Sequence, residues 1–168
     1  TTVTAKVPGR RPDLVNRDFS AAAPHRLWVA DITYVRTMSG FAYTAFIADV
    51  YTRKIVGVAT RASMRTDELP LEAFEHALHS AGDLRAEGLI HHSDRGSQYV
   101  SIRYGEALAE AGVDPSAGSV GDSYDNALAE TINGLYKTEL IYPHRPWTSV
   151  AEVCLLYTSD AADEGLGV

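Results

Sequence analysis

Three carboxylic acids stand out because of where they fall along the chain. Asp31 lies inside a β-rich run, Asp94 directly follows a short apolar run, and Glu130 lies on a helical segment. A carboxylate on a largely apolar strand face is unfavourable unless a positive group pairs with it. An acidic cluster could instead take up a divalent cation, which would then be the largest local charge. This combination, with 35 residues between Asp94 and Glu130, favours a functional cluster.

Each acid also has an ordinary structural explanation. Asp31 could be a solvent-facing strand residue, and Asp94 could complete a turn with the glycine that follows. Glu130 shares a polar helix face with Asn133 and Lys137, at spacings i, i+3 and i+7, and a solvated face would explain that pattern. Asp49, which ends the second β-rich run, is interpreted as a strand-end acid or an auxiliary acid.

The elements that must position these acids alternate between strand and helix. Three β-rich runs with short connections predict an antiparallel meander over residues 26–36, 41–50 and 54–63. The later periodicities predict a helix at 66–82, a strand at 89–92, a helix at 101–112, a small strand at 113–116 and a helix at 124–141. The first helix should be capped by Thr66 or Asp67, should hold Pro70 in its first turn, and should end at Gly82.

Composition fits one domain with its own core. The chain has 168 residues, of which 45% are hydrophobic and 22% are charged. Cys154 stands alone, which rules out an internal disulfide and a multi-cysteine zinc site. No apolar stretch approaches the roughly 20 residues that span a bilayer, so we expect a cytoplasmic protein without a membrane partner.

The net charge of −7 argues against a general nucleic-acid coat protein. The acids are unevenly placed, however, since residues 154–168 hold three of them and no Lys or Arg, which leaves −4 for the rest. The start of the chain is basic, with Lys6, Arg10, Arg11 and Arg17. The overall charge therefore does not exclude DNA as a partner.

Four ordered motifs resemble the catalytic core of insertion-sequence transposases of the retroviral integrase superfamily, the DDE class. They read "WVADITYV", "IADVYTRKIVG", "HHSDRGSQY" and "GDSYDNALAETINGLYKTEL". The resemblance covers roughly residues 12 to 153. It is closest to elements with two reading frames, of which this chain would be the second-frame product.

The resemblance implies an α/β, ribonuclease-H-like fold. We expect a five-stranded mixed sheet, with strands 1–3 antiparallel, flanked by helices. On that basis the chain divides into an N-terminal arm or linker (1–24), an integrase catalytic core (25–153) and a tail foreign to the family (154–168). Ser149 and Glu152 form a capping box that predicts one more helix. The tail is typical of out-of-frame translation, and natural divergence of a C-terminus is the alternative.

The resemblance also implies a metal site. Asp31, Asp94 and Glu130 match the three family acids, as catalytic residues and as ligands of Mg²⁺, for which Mn²⁺ can substitute. Carboxylates suit Mg²⁺ because it prefers octahedral oxygen coordination. His91 and His92 are therefore assigned to packing or phosphate contact rather than to the metal.

Further side chains are predicted to contact DNA. They are Lys137, Arg95, Gln98 and Asn133, with a hydrogen-bonded loop or a surface ion pair as the alternative explanation for each. Trp28, close to Asp31 in sequence, should point to the opposite face and lie in the core.

The expected function is that of an Mg²⁺-dependent polynucleotidyl transferase, which cleaves donor ends and transfers strands during DNA transposition. Its partners would be transposon ends, target DNA and further copies of the chain, in the bacterial cytoplasm at the nucleoid. Two alternatives remain open, a truncated remnant that binds DNA or partner subunits without turnover, and another nuclease of the same fold. Residues 1–24 are too short for a helix-turn-helix region, so we expect DNA binding to be weak and nearly independent of sequence. The fragment could also be catalytically inactive by itself.

Overall fold

A computed structural model describes residues 11–16, 18–64, 68–84, 87–94, 96, 99, 101–118 and 127–156. The strands in this part of the chain are β1 (Leu27–Thr37), β2 (Gly40–Asp49), β3 (Lys54–Arg61), β4 (Ile90–Ser93) and β5 (Asp114–Ala117). The α-helices are α1 (Pro70–Ala81), α2 (Ile102–Glu110), α3 (Ala127–Leu135) and α4 (Val150–Leu156). A 3₁₀ turn at Gly82–Leu84 follows α1, and a π-helical turn (Tyr136–Ile141) and a second 3₁₀ turn (Tyr142–His144) follow α3.

The first three strands form the predicted antiparallel meander. Tyr34 of β1 faces Tyr43 of β2, and Phe46 of β2 faces Val58 of β3. The turn between β1 and β2 ends at Gly40, whose φ of 118° is accessible to glycine but strained for other residues. The short hairpin connection fixes this register.

β4 and β5 extend the sheet in parallel. β4 pairs with β1 on one side and with β5 on the other, so the strand order is β3-β2-β1-β4-β5. The sheet is therefore mixed, with helices packed on it, which confirms the expected fold class. Parallel neighbours need crossover connections, and α1 and α2 supply them.

Aromatic and small side chains fill the space between the sheet and helices α1 and α2. Trp28 is fully buried there, as predicted, with its ring 6.5 Å from that of Phe74. Gly57 of β3 permits close approach of α1, because a Cβ at this position would lie 2.2 Å from the carbonyl oxygen of Ala73. A side chain at Gly57 would push α1 off the sheet.

The opposite face of the sheet packs against α3. Val29, Phe46 and Ala48 of the sheet contact Leu128 and Ile132 of the helix in one buried cluster. A third cluster, near the hairpin end of β1 and β2, includes residues from the turn after α3 and from α4. Helix α3 is thus held over the same face of β1 that carries Asp31.

The helix ends differ from the sequence expectation at two places. Helix α1 begins at Pro70 with Leu69 as its N-cap, four residues later than predicted, because proline cannot occupy a helix interior. The predicted caps Thr66 and Asp67 lie outside the described residues. The single helix expected over 124–141 is α3 followed by the π-helical turn, while its first three residues are not among those described.

The two ends of the chain pack against the body where they are described. In the predicted arm, the Leu14 N–H donates to Ser116 Oγ (2.8 Å), and Val15 is buried. The predicted capping box opens α4, where the Glu152 N–H donates to Ser149 Oγ (3.3 Å). This helix continues to Leu156, past the predicted boundary at residue 153. In the part of the chain that the structure describes, no helix is long and apolar enough to cross a membrane.

Candidate active site

Asp31 of β1 and Asp94, which directly follows β4, lie just past the point where the pairing of the two strands stops. β1 and β4 are paired through Val29 and His92, and each acid follows two residues later. Because side chains alternate between faces, a two-residue step keeps Asp31 on the face of Val29. Both acids line one cleft of about 180 Å³. The divergence of the two strands therefore creates the opening into which the acids project.

The environment of Asp31 disfavours its charge. Burial raises the pKa of this carboxyl from 3.8 to about 6, and the neighbouring charges of Asp94 and Glu130 add to the rise. Hydrogen bonds from the Ile32 backbone and the Asn133 side chain act in the opposite direction. A carboxyl whose charge is this poorly compensated is suited to receive a cation.

Helix α3 supplies the remaining groups. Glu130 is exposed in its first turn, and Asn133, one turn later, donates its side-chain amide to Asp31. The Asn133 Oδ1 atom is buried without a hydrogen-bond partner among the described residues. Its role in the structure is thus to contact Asp31, whereas a DNA contact by Asn133 stays a prediction.

The Asp94 side chain is held by the loop that follows it. Its Oδ1 accepts a hydrogen bond from the Gly96 N–H at 2.8 Å, and the residue is exposed. This is the turn geometry expected of an aspartate two residues before a glycine. One carboxylate oxygen is used in the turn.

Lys137 lies beside the cleft. Its Nζ is 5.0 Å from the centre of the Tyr34 ring, a cation–π contact, and Tyr34 lines the cleft that Asp31 and Asp94 share. A DNA contact by Lys137 stays a prediction. Arg95 and Gln98, also predicted to contact DNA, lie outside the described residues.

The two histidines before Asp94 are internal. His91 is fully buried and its Nε2 lies 2.8 Å from the Tyr104 hydroxyl, while His92 Nδ1 lies 2.8 Å from Ser116 Oγ. Burial lowers the pKa of His91 to about 3, which keeps this ring neutral. Their place in the core agrees with the assignment to packing.

Asp49 has a different environment from the other acids. It is fully buried and accepts two hydrogen bonds, from the backbone N–H groups of His25 and Thr52, each at 2.8 Å. Both carboxylate oxygens are therefore occupied by the protein itself. Asp49 holds the chain together where β2 ends and is not a member of the cleft.

The cleft can be tested for its fit to Mg²⁺. Among the described residues, no three His, Cys, Asp or Glu side chains converge closely enough to hold one ion. The charges of Asp94 and Glu130 nevertheless act on Asp31, and Asn133 adds a buried amide oxygen with no hydrogen-bond partner among the described residues. Oxygen donors with uncompensated charge fit a hard divalent cation. A larger groove of about 870 Å³, between β3, α1 and α4, contains the Arg61–Glu72 ion pair and none of the predicted acids.

One residue at this site was not singled out by sequence reasoning. Tyr99 is buried, lines the cleft, and has a hydroxyl with no hydrogen-bond partner in the described part of the chain. Burial raises its pKa, and the charges of Asp31 and Asp94 add to this. Its position in the "HHSDRGSQY" motif was the only sequence signal for a role at the site, and an aromatic residue there is equally consistent with core packing.

The five-stranded mixed sheet with flanking helices is the fold of integrase catalytic cores, and comparison with known proteins agrees. The Integrase core domain family matches residues 21–123, which include Asp31 and Asp94 and stop before Glu130. The chain belongs to this family. A simian T-cell lymphotropic virus intasome chain superposes with a TM-score of 0.67 at 20% identity, over 82% of this chain and 49% of that one. The magnesium complex of the HTLV-2 integrase catalytic core (trimeric form) gives 0.62 at 18% identity, over 83% and 87%.

Within this family the chain is similar to transposases of insertion sequences. It is 55% identical over 156 residues to the protein assigned as transposase of element IS986/IS6110 in Mycobacterium tuberculosis (strain ATCC 25177 / H37Ra), covering 91% of this chain and 56% of the relative. It is 51% identical over 153 residues to the transposase of element IS629 in Shigella sonnei, covering 91% and 50%. The chain thus spans about half the length of these curated relatives.

Proposed function

We propose that this chain is the catalytic core of a DNA transposase, which cleaves donor ends and transfers the cleaved strand to target DNA. The observation that carries the proposal is that Asp31, inside β1, and Asp94, just after β4, line one cleft past the β1–β4 pairing, with the charge of Glu130 on α3 acting on Asp31. The family match and the similarity to insertion-sequence transposases support it.

The proposed roles of the residues follow from their positions. Asp31, Asp94 and Glu130 would provide carboxylate oxygens to divalent metal, and Asn133 would hold Asp31 in its orientation. When bound, Mg²⁺ or Mn²⁺ would activate the attacking oxygen and stabilise the leaving oxygen in phosphodiester displacement. Lys137 would contact a backbone phosphate and so position the DNA rather than read its sequence.

Partners and location follow from the same proposal. The substrates would be transposon ends and target DNA, and the active form would be an assembly of several copies. The protein would act in the bacterial cytoplasm, at the nucleoid. Arg95 and Gln98 are further proposed DNA contacts, since they follow Asp94 directly in the chain.

Strand cleavage of preformed transposon-end DNA tests the proposal. The chain would be completed to the length of its relatives, and Asp31→Asn, Asp94→Asn and Glu130→Gln would be compared with the matched control Asp83→Asn, an exposed acid after α1. We expect each of the three variants to lose metal-dependent cleavage and the control to keep it. Cleavage by Glu130→Gln at the parent rate would overturn the assignment. DNA binding without cleavage by the parent protein would favour a non-catalytic remnant.

A further inference from the structure

Three aromatic rings lie together on the hairpin of β1 and β2, and we call Tyr34, Phe41 and Tyr43 the aromatic patch. Tyr34 and Tyr43 are cross-strand partners, and Phe41 contacts both, with ring centres 5.4 Å from Tyr34 and 6.4 Å from Tyr43. Tyr34 is 57% exposed and Phe41 is 45% exposed despite these contacts. Single exposed aromatics are ordinary, but a contiguous group of rings on a surface indicates a binding site.

The aromatic patch adjoins the acid cleft. Tyr34 and Tyr43 line the same cleft as Asp31 and Asp94. Tyr34 follows Asp31 by three residues on β1, so the two side chains leave the strand on opposite faces and both reach the cleft that lies past the β1–β4 pairing. Their Cα atoms are about 10 Å apart along the strand. That distance corresponds to roughly three stacked nucleotides of DNA, or fewer in an extended single strand.

Positive charge lies on both sides of the aromatic patch. The Lys137 ammonium lies over the Tyr34 ring, and Arg36, exposed, is the cross-strand partner of Phe41 on the same face. Flat aromatic faces stack with any nucleobase, and neighbouring cations neutralise the phosphates between bases. A protein partner would instead favour an apolar centre depleted of charge.

We propose that the aromatic patch is a stacking subsite for an unpaired nucleobase of the DNA strand whose phosphate lies at the acids. The proposal rests on the proposed function, because that function puts the reacting DNA phosphate at Asp31 and Asp94. The base must be unpaired, since a paired base inside a duplex has no free face to offer to a tyrosine. Opening the DNA next to the reacting phosphate would then be stabilised by the ring of Tyr34.

Fluorescence of 2-aminopurine tests the proposal on the chain as it stands. The probe is a short duplex with a single-stranded overhang that carries 2-aminopurine, titrated with protein in the presence of Mg²⁺. Stacking on Tyr34 should quench the fluorescence. Tyr34→Phe should keep the quenching because it keeps the ring, and Tyr34→Ala should weaken overhang binding about tenfold. Tyr51→Ala is the matched control, because Tyr51 is 51% exposed at the opposite end of β2.

Each outcome decides the proposal. Unchanged quenching with Tyr34→Ala, or no quenching with the parent chain, overturns it. A change in oligomeric state with unaltered quenching also overturns it, in favour of a protein contact. If Tyr34→Ala does not fold, Phe41→Ala serves as the second variant, with the same expectation. If the acid variants lose cleavage while Tyr34→Ala binds the overhang normally, only the stacking subsite fails. If the acid variants cleave normally while Tyr34→Ala loses quenching, only the proposed function fails.

Discussion

Two carboxylates on neighbouring strands, Asp49 and Asp31, differ in what surrounds them. Asp49 is fully buried at one end of the sheet, and two backbone N–H groups satisfy both of its oxygens. Asp31 lies inside β1, just past its pairing with β4, where burial and two like charges raise the pKa of its carboxyl to about 6. The protein donates hydrogen bonds to both carboxylates, but at Asp31 burial and the like charges of Asp94 and Glu130 outweigh them. An acid thus indicates a ligand site when burial and like charges outweigh the hydrogen bonds that the protein supplies.

The largest effect should come from exchanging each acid for its amide. Asp49→Asn places an amide NH₂ against a backbone N–H donor, which should lower the free energy of unfolding by about 3 kcal/mol. Asp31→Asn at pH 7 should leave the fold as stable as before or more so, because it removes a poorly compensated charge. Chemical denaturation of both variants measures the difference, and equal losses would remove the distinction between the two sites.

The pH dependence of stability should sharpen the contrast. The folded pKa of Asp31, about 6, is above its ordinary value of 3.8, so between these values the folded chain binds more protons than the unfolded chain. The contribution of Asp31 to folding stability should therefore fall as pH rises from about 4 to 6, by roughly 2 to 3 kcal/mol, and stay low above pH 6. Denaturation of the parent and Asp31→Asn across this range isolates the effect. A constant difference between the two proteins would contradict it.

A smaller effect should separate two buried tyrosines. The Tyr104 hydroxyl is paired with His91 Nε2 at 2.8 Å, whereas the Tyr99 hydroxyl beside the acid cleft has no partner in the described part of the chain. Tyr104→Phe should lower the free energy of unfolding by about 1 kcal/mol, and Tyr99→Phe should leave it unchanged or raise it. Thermal melts of the two variants give the comparison; the reverse order would show that Tyr99 is satisfied within the fold.

The smallest effect should come from the end of the chain. Removing residues 157–168 should leave the melting temperature unchanged within error. Removing 154–168 should lower it slightly, because Cys154 belongs to α4 and its thiol contacts the Thr60 carbonyl oxygen at 3.4 Å. The pair of truncations locates the end of the folded core, and a large loss from the shorter deletion would show that 157–168 pack as native structure.

The sequence predicts the sheet well because its signals are local. Three β-rich runs with short connections predict the meander, and the glycine after α1 marks the end of that helix; both predictions are confirmed. The predicted start of α1 was wrong because Thr66 and Asp67 are good capping residues, whereas the helix begins at Pro70. The π-helical turn after α3 has no comparable sequence signal.

The sequence motifs point to the acids of the candidate site but not to the residues that contact them. The motifs point to Asp31, Asp94 and Glu130, yet whether these act together stays a prediction. The Asn133 contact to Asp31 joins residues about a hundred positions apart and depends on how α3 packs on β1. The role of Asp49 likewise depends on a backbone group 24 residues away. Contacts of this kind are set by tertiary packing and leave no periodic pattern.

Metal-induced thermal stabilisation tests most directly whether Asp31, Asp94 and Glu130 form one cation site. Melting temperatures of the parent chain, Asp31→Asn, Asp94→Asn, Glu130→Gln and the control Asp83→Asn would be measured with increasing Mg²⁺ or Mn²⁺. At metal concentrations about ten times the dissociation constant, we expect the parent and the control to gain roughly 1.4 kcal/mol, a shift of a few degrees. The three acid variants should lose this gain while folding normally without metal. An undiminished shift in Glu130→Gln would contradict the account and remove Glu130 from the site.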